Sequence, residues 1–455
     1  MADVLGASPV RYLDDGPITK RQLVVIATAG FGLFIDGITV LSYGAALLGI
    51  VAELHLSGAA LGLTASSVFF GMIVGTLIAG PLIDRFGRRP VFLADMVLFI
   101  ISALLFLAVH DVIWLVVLRF FSGVAIGADM PCSIAIMTEF SPRSWRGAMT
   151  SLSQSFWLFG SLIGAAIGIL AYDLAGPASW RYILAFGAVP AALLLTVRLR
   201  NMPESPRWLL SRGDSSGGLR ILADYSEAAQ DDIEPSSATS SAVQRDVPLS
   251  VLFRGRGLFL LAFTSIFWFC VNATGSTMLT YTPIVVKGLL GTPTPSISLS
   301  VQIVLNALYV IVGIIFALRL VEQVGRRPVG IWGFWIPACC IVGMAFSLQN
   351  PWLLAILFAA GSSIMLGGPA NVYFTWGAEL FPTAVRGRAL GISNAVGKFG
   401  SIAGVFLFPL IYARSLFLAL LVIAAVLALG GLTAALMAPE TKGRSLDELE
   451  KWIFE

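Results

Sequence analysis

Twelve apolar runs fix the solvent of this chain before any motif is considered. They lie near residues 22–50, 60–82, 91–109, 112–138, 147–171, 180–198, 257–286, 297–320, 329–348, 352–378, 389–411 and 415–438. Roughly 20 residues of helix cross a ~30 Å hydrocarbon core, so each run is long enough to span or nearly so. Only 12% of the chain is charged and its mean hydropathy is +0.87. A water-facing globule needs about 25% charged residues, and that class is excluded. The runs lack the ~10-residue alternation of barrel strands, and backbone amides in lipid must bond within their own segment, so the spans are helices.

The charged links between the runs occur twice. Gly80-Pro-Leu-Ile-Asp-Arg-Phe-Gly-Arg-Arg-Pro-Val91 returns as Arg319-Leu-Val-Glu-Gln-Val-Gly-Arg-Arg-Pro-Val-Gly330. Glu139-Phe-Ser-Pro-Arg-Ser-Trp-Arg-Gly147 returns as Glu379-Leu-Phe-Pro-Thr-Ala-Val-Arg-Gly387, and Pro203-Glu-Ser-Pro returns more loosely as Pro439-Glu-Thr-Lys. Gly87 and Gly325, Gly147 and Gly387, and Pro203 and Pro439 are 238, 240 and 236 residues apart. A duplication that holds register over most of the chain predicts two equivalent six-helix bundles. The expected organisation is an N-terminal bundle over 1–200, a linker with short helices over 201–256, a C-terminal bundle over 257–438 and a tail over 439–455.

Alternate links carry Arg85, Arg88, Arg89, Arg143, Arg146, Arg326, Arg327, Arg386 and Arg388, whereas the opposite links and helix mouths hold only Arg181, Lys287 and Arg414. The positive-inside rule puts the arginine-rich side and both termini in the cytoplasm, as in a multi-pass protein of a bacterial inner membrane. The polar start predicts no cleaved leader, with the first helix as insertion signal. These links account for the net charge of +3, so no nucleic-acid partner is implied. Cys132, Cys270, Cys339 and Cys340 fall inside spans without zinc-like spacing, and His55 and His110 stand singly near outer loops. No cofactor or metal is expected. The segment 231–241 reads as flexible linker, and 444–455 as an amphipathic helical tail.

The repeated acids and arginines form a candidate latch. Asp84, Arg88 and Arg89 with Glu139 and Arg146 would build it in the first half, and Glu322, Arg326, Glu379 and Arg386 in the second. No small residue matches Gly80 in the second half, which predicts a weaker latch there. Such a network breaks when the cytoplasmic side opens, so it is expected to favour the outward-facing state.

An ionisable side chain at mid-bilayer costs roughly 2.5 to 3.5 kcal/mol, so each needs a partner, a wet cavity or a function. Asp36 lies at the centre of the first span, Arg119 a third of the way along the fourth, Asp129 ten residues further on, and Lys398 mid-span in the eleventh among small residues that let backbones approach. Ten residues of helix rise ~15 Å, so Asp129 and Arg119 should not pair directly. A lysine at the position of Lys398 should face a cavity.

Asp84-Arg-Phe-Gly-Arg-Arg89, Pro203-Glu-Ser-Pro-Arg-Trp-Leu-Leu210 and Pro439-Glu-Thr-Lys-Gly-Arg-Ser-Leu446 together resemble the major facilitator superfamily, and within it the sugar porters and their metabolite-transporting relatives. The resemblance implies a substrate site near mid-membrane between the bundles, alternately exposed to the two sides. It further implies that Asp36 and Arg119 are the acid and arginine that couple protons in similar sugar symporters, Arg119 standing twenty residues before Glu139. An arginine beside a carboxylate favours its ionised form and separation favours protonation, so a conformational change can load and release a proton.

Gly127-Ala-Asp-Met-Pro131 and Lys398 resemble the pattern of phosphate symporters, in which the acid handles proton or substrate and the lysine touches the anion. Asn272 and Met130 depart from that pattern, where an acid and a tyrosine are expected. Gln154 matches one sugar-binding glutamine of hexose porters, but Ser161, Cys270, Val271 and Ser276 replace other amide positions. The candidate lining groups are Tyr43, Gln154, Trp157, Trp268, Asn272, Asn371, Tyr373, Trp376 and Lys398. An aromatic-rich cavity with one lysine suits a small carboxylate, aromatic or sugar-derived. The expectation is therefore a monomeric, proton-coupled importer of a small polar metabolite, with an organic anion favoured over a sugar or polyol and over an organic cation. An uncoupled facilitator or exporter on the same fold, and a membrane sensor, are the rivals. No Gly-x-Ser-x-Gly, His-Glu-x-x-His or paired intramembrane Asp motif is present, which argues against an enzyme.

Overall fold

The computed structural model describes residues 13, 16–142, 146–226, 249–289, 295–381 and 383–442; within them the side chains of Asp84, Arg146, Gln154, Glu322 and Arg386 fall outside the description, as do segments 231–241 and 444–455. The first half contains α1 (Lys20–Leu54), α2 (Gly58–Phe86), α3 (Arg88–Leu105), α4 (Val112–Glu139), α5 (Arg146–Ala175) and a sixth span broken at Phe186–Gly187 into α6 (Ser179–Ala185) and α7 (Ala188–Asn201). Two short linker helices follow, α8 (Pro206–Ser211) and α9 (Ser215–Tyr225). The second half contains α10 (Gly255–Leu289), α11 (Pro295–Ile315), α12 (Arg326–Phe346), α13 (Pro351–Gly367) with α14 (Pro369–Glu379), α15 (Thr383–Tyr412) and α16 (Leu416–Met437). Among the described residues ten stretches are long and apolar enough to cross a membrane, Phe156–Asn201 holding two successive spans; with the shorter apolar helix Ser300–Ile315 they match the twelve apolar runs, and no strand is described.

One predicted span, 352–378, is divided. Pro369 has no N–H to donate and the helix breaks at Gly368. The Asn371 side chain repairs the break by donating to the Gly367 carbonyl at 2.6 Å and to Gly313 of α11 at 3.1 Å. In lipid such carbonyls have no water to turn to.

Glycine sets the helix crossings. A Cβ on Gly71 or Gly75 of α2 would lie 2.0 Å from the Phe120 carbonyl oxygen or 2.1 Å from that of Val124, and one on Gly123 or Gly127 of α4 would lie 2.0 Å from Val68 O or 2.2 Å from Met72 O. The two backbones touch reciprocally. Gly37 against Trp157 O and Gly160 against Phe34 O join α1 to α5 in the same way, and Gly400 and Gly404 join α15 to Phe269 and Ala273 of α10.

The two halves meet on the face away from the arginine-rich links. A Cβ on Gly62 would lie 2.6 Å from Phe406 O, and Gly58 faces Pro409. Gly44 lies against the Leu279 and Thr280 carbonyls, and Asn306 donates to Ser161 O at 3.3 Å. Eighteen residues make five helical turns, so Gly80 lies on the same face of α2 as Gly62, and Gly391 on the same face of α15 as Pro409. Neither has an atom within 4 Å of where a Cβ would sit. At these two positions α2 and α15 do not pack on each other.

The repeated motifs close each half on itself. Arg88 pairs with Glu139 at 3.0 Å and Arg326 with Glu379 at 3.0 Å. Ser205 and Thr441 donate to the same two glutamates. Glu204 accepts from the N–H groups of Arg88 (2.8 Å) and Arg89 (3.1 Å), and Glu440 from those of Arg326 (3.1 Å) and Arg327 (3.0 Å). Each glutamate thus caps the free amides of a helix that starts at a glycine with positive φ, Gly87 (94°) or Gly325 (110°). Arg89 and Arg327 return the contact by donating to Leu199 O and Ala435 O. The described contacts are alike in the two halves.

Glu440 gives this clamp a pH signature. Burial pushes its carboxyl up, but the N–H groups of Lys442, Arg327, Arg326 and Thr441 together outweigh burial and hold it below the ordinary glutamate value. A depressed carboxyl contributes stability that is fully present above its unfolded value, about 4.3, and is lost as pH falls through the folded one. The melting-temperature difference between the native protein and Glu440→Gln in detergent should be constant above about pH 5.5 and shrink progressively as pH falls below about 4.3. A difference that does not shrink on acidification would remove the carboxylate from the clamp.

Candidate functional site

Asp36 lies midway along α1 and feels the charge of Lys398 from the other half. It is 3% exposed, and no described side chain or backbone group bonds to it. Gly37 beside it is pressed on the Trp157 carbonyl, which fixes α1 against α5. The charges in whose field Asp36 lies are Asp129, Asp95 and Arg198 from its own half and Lys398 from the other.

Arg119 is not joined to Asp36. Its Nε donates to Thr64 O at 2.9 Å, and the guanidinium lies 3.8 Å from the centre of the Tyr43 ring, whose hydroxyl bonds Thr64 at 2.7 Å. Tyr43 is seven residues beyond Asp36, a rise of about 10 Å. The expected acid and arginine pair is therefore apart in this conformation. Tyr43 is likewise no lining group, being fully buried beneath Arg119.

Asp129 does not reach Arg119 either; it pairs with Arg198 of α7 at 2.8 Å and accepts from Ser133 at 2.9 Å. Arg198 also reaches Asp95 of α3 at 3.5 Å, donates to Phe92 O at 3.0 Å and lies over the Phe92 ring. Sequence reasoning missed Asp95 and Arg198 because each lies near the end of its span, where a charge reads as membrane-surface anchoring. The available signal was depth: Asp95 is seven residues, about 10 Å, inside α3 from Arg88.

On the facing half, Lys398 is half-buried and makes no hydrogen bond or ion pair with any described residue. Asp36 is the charge in whose field it lies. One turn before it, Asn394 accepts from Trp268 Nε1 at 3.1 Å. One turn after it, Ser401 donates to Asn272 Oδ1 at 3.2 Å and bonds Ser276 at 2.8 Å, while Asn272 donates to Trp268 O at 2.9 Å. A polar seam thus runs between α10 and α15 with Lys398 in it. Trp268 stacks on Tyr373 at 3.9 Å between centroids, 5° from parallel.

Two other candidates sit elsewhere than expected. Trp376 is 1% exposed in an aromatic nest with Phe263 and Phe267, 4.9 and 5.3 Å away, inside the second half. Asn371 is occupied in repairing the α13–α14 break. Trp157 is half-buried, with its carbonyl against Gly37 beside Asp36. Gln154, Asp84, Arg146, Glu322 and Arg386 are outside the described side chains.

Two helix bundles that carry charges without bonded partners inside their spans match a family of membrane carriers. The chain matches the family of sugar (and other) transporters over residues 37–452. It belongs to that family. The putative metabolite transport protein YaaU of Escherichia coli is 29% identical over 96% of both chains, and the arabinose-proton symporter of Bacillus subtilis is 28% identical over 98% of this chain and 99% of that one. The proton:xylose symporter XylE, a major facilitator superfamily protein solved with 6-bromo-6-deoxy-D-glucose bound, superposes with a TM-score of 0.72 over 95% of this chain and 98% of its own, at 24% identity. The protein is a multi-pass membrane transporter of metabolites on the major facilitator fold, and not an enzyme.

Proposed function

We propose that this transporter acts as a monomer in a bacterial inner membrane and imports a small hydrophilic carboxylate together with a proton. The observation that carries this reading is the pair of charges without direct partners, Asp36 and Lys398, on opposite sides of the interface between the halves. The arginine-rich face would be cytoplasmic by the positive-inside rule. Asp36 would carry the proton. With Asp36 neutral, Lys398 would be free to take the substrate carboxylate, and Asn394, Asn272 and Ser401 would offer amide and hydroxyl groups to the rest of the molecule.

Removing a charge-assisted contact of ~1.5 to 3 kcal/mol weakens binding by roughly 10- to 150-fold. In proteoliposomes, Lys398→Ala should raise KM for the transported carboxylate by that factor and abolish competition by other carboxylates. An unchanged KM would take Lys398 out of the site.

A neutral sugar is the second reading. It is favoured by the amide and hydroxyl seam between α10 and α15 and by the relative that carries arabinose with a proton. Uptake of a neutral pentose or hexose that survives Lys398→Ala would select it.

A further inference from the structure

The N-terminal half contains a buried charge cluster that the C-terminal half lacks. Arg198, Asp95 and Asp129 have side chains 0%, 1% and 2% exposed. At the offsets of the three repeated motifs, their counterparts are Ala434, Gly333 and Pro369. Those counterparts are packed: Ala434 is fully buried, and a Cβ on Gly333 would lie 2.7 Å from the Pro369 ring. The same helix packing is therefore built without charge in one half and around three charges in the other. The fold does not require the cluster.

Its internal balance is uneven. Two carboxylates share one guanidinium, Asp95 Oδ2 and Arg198 Nε have no hydrogen-bond partner, and Asp36 lies in the same field without a bonded cation. A Cβ on Gly32 of α1 would lie 2.2 Å from Arg198 and 2.7 Å from Asp129, so α1 runs directly over the cluster one turn from Asp36. The groups around it are Asp36 from α1, Cys132 beside Asp129 on α4, and Arg88 at the base of α3. The described α2 residues nearest Asp95, among them Gly75, Ile78 and Ala79, bring none.

We infer that Asp95, Asp129 and Arg198 form a second proton-holding station that exchanges with Asp36, with Arg198 rather than Arg119 as the counter-ion the three acids share. The proton leaves the Asp36 carboxyl and is taken up by the Asp95–Asp129 pair, so the summed charge of the half is unchanged. The station lies on the arginine-rich side of Asp36, one turn toward the start of α1. This rests on the proton-coupled reading above, but its test does not need the substrate.

The test is an infrared pH titration of the purified full-length protein in lipid, reading the carbonyl stretch of buried protonated carboxyls. Asp36→Asn and Asp95→Asn should each remove intensity from that region. Asp95→Asn removes a neighbouring negative charge, so the pH at which the Asp36 band disappears should fall by about one unit or more. Asp129→Asn should produce the same kind of shift and serves as the second variant if Asp95→Asn does not purify. A structural ion cluster would shift Asp36 by charge alone but would give no protonated band that Asp95→Asn or Asp129→Asn removes, and the absence of such a band would overturn the inference. Should the native protein carry substrate without protons while the coupled titration persists, the transport reading fails and the station stands.

Discussion

Asp36→Asn should abolish accumulation while leaving exchange intact. With one proton carried per substrate, a gradient of two pH units supports accumulation of about 100-fold, since each unit is worth 1.36 kcal/mol. Asparagine keeps the shape of the side chain and cannot take up a proton. The variant should therefore equilibrate substrate to about equal concentrations on the two sides. Counterflow, in which loaded carriers swap substrate without net proton movement, should continue within a few-fold of the native rate. Accumulation surviving in Asp36→Asn would move the coupling to another group or show a carrier without coupling.

Gly123→Val should prevent assembly of the first half. The Gly123 Cβ would lie 2.0 Å from Val68 O, with Gly71, Gly75 and Gly127 interlocked along the same α2–α4 seam. Backbone meets backbone there, so no rotamer change relieves the clash and the helices must separate. Separation would cost more than ~3 kcal/mol, at the upper end for overpacking. The expected readout is loss of the monodisperse peak in detergent chromatography. Gly80→Ala is the internal control on the same helix, because a Cβ at Gly80 meets nothing within 4 Å. A monodisperse Gly123→Val with a melting temperature near native would mean that α2 and α4 are packed otherwise.

The architecture was legible because lipid imposes two rules that composition alone expresses: spans must be long and apolar, and charge collects in the links. Repetition of Gly-Arg-Arg-Pro at 87 and 325 then divided the chain into its halves. The sequence match between Pro203-Glu and Pro439-Glu marked equivalent positions without revealing their role. Glu204 and Glu440 cap α3 and α12 through contacts about 115 residues distant, which no local pattern encodes. Faces were the harder problem. In a buried span every side is apolar, so the 3.6-residue pattern that orients a soluble helix is absent. Trp376 and Asn371 consequently looked like cavity groups when one fills an aromatic nest and the other repairs a helix break. Asp36 and Lys398 were found because a charge at mid-bilayer needs a reason, whereas Asp95 and Arg198, nearer the span ends, seemed to need none.

The most direct test of a proton-coupled carboxylate carrier is substrate-driven proton entry. Purified protein in liposomes with an internal pH dye is given, in turn, hydroxylated carboxylates, sugars, polyols and amines, with Asp36→Asn and Lys398→Ala in parallel. Internal acidification driven by a carboxylate and lost in both variants is the predicted result. Uptake with no proton signal, indifferent to Asp36→Asn, would contradict it.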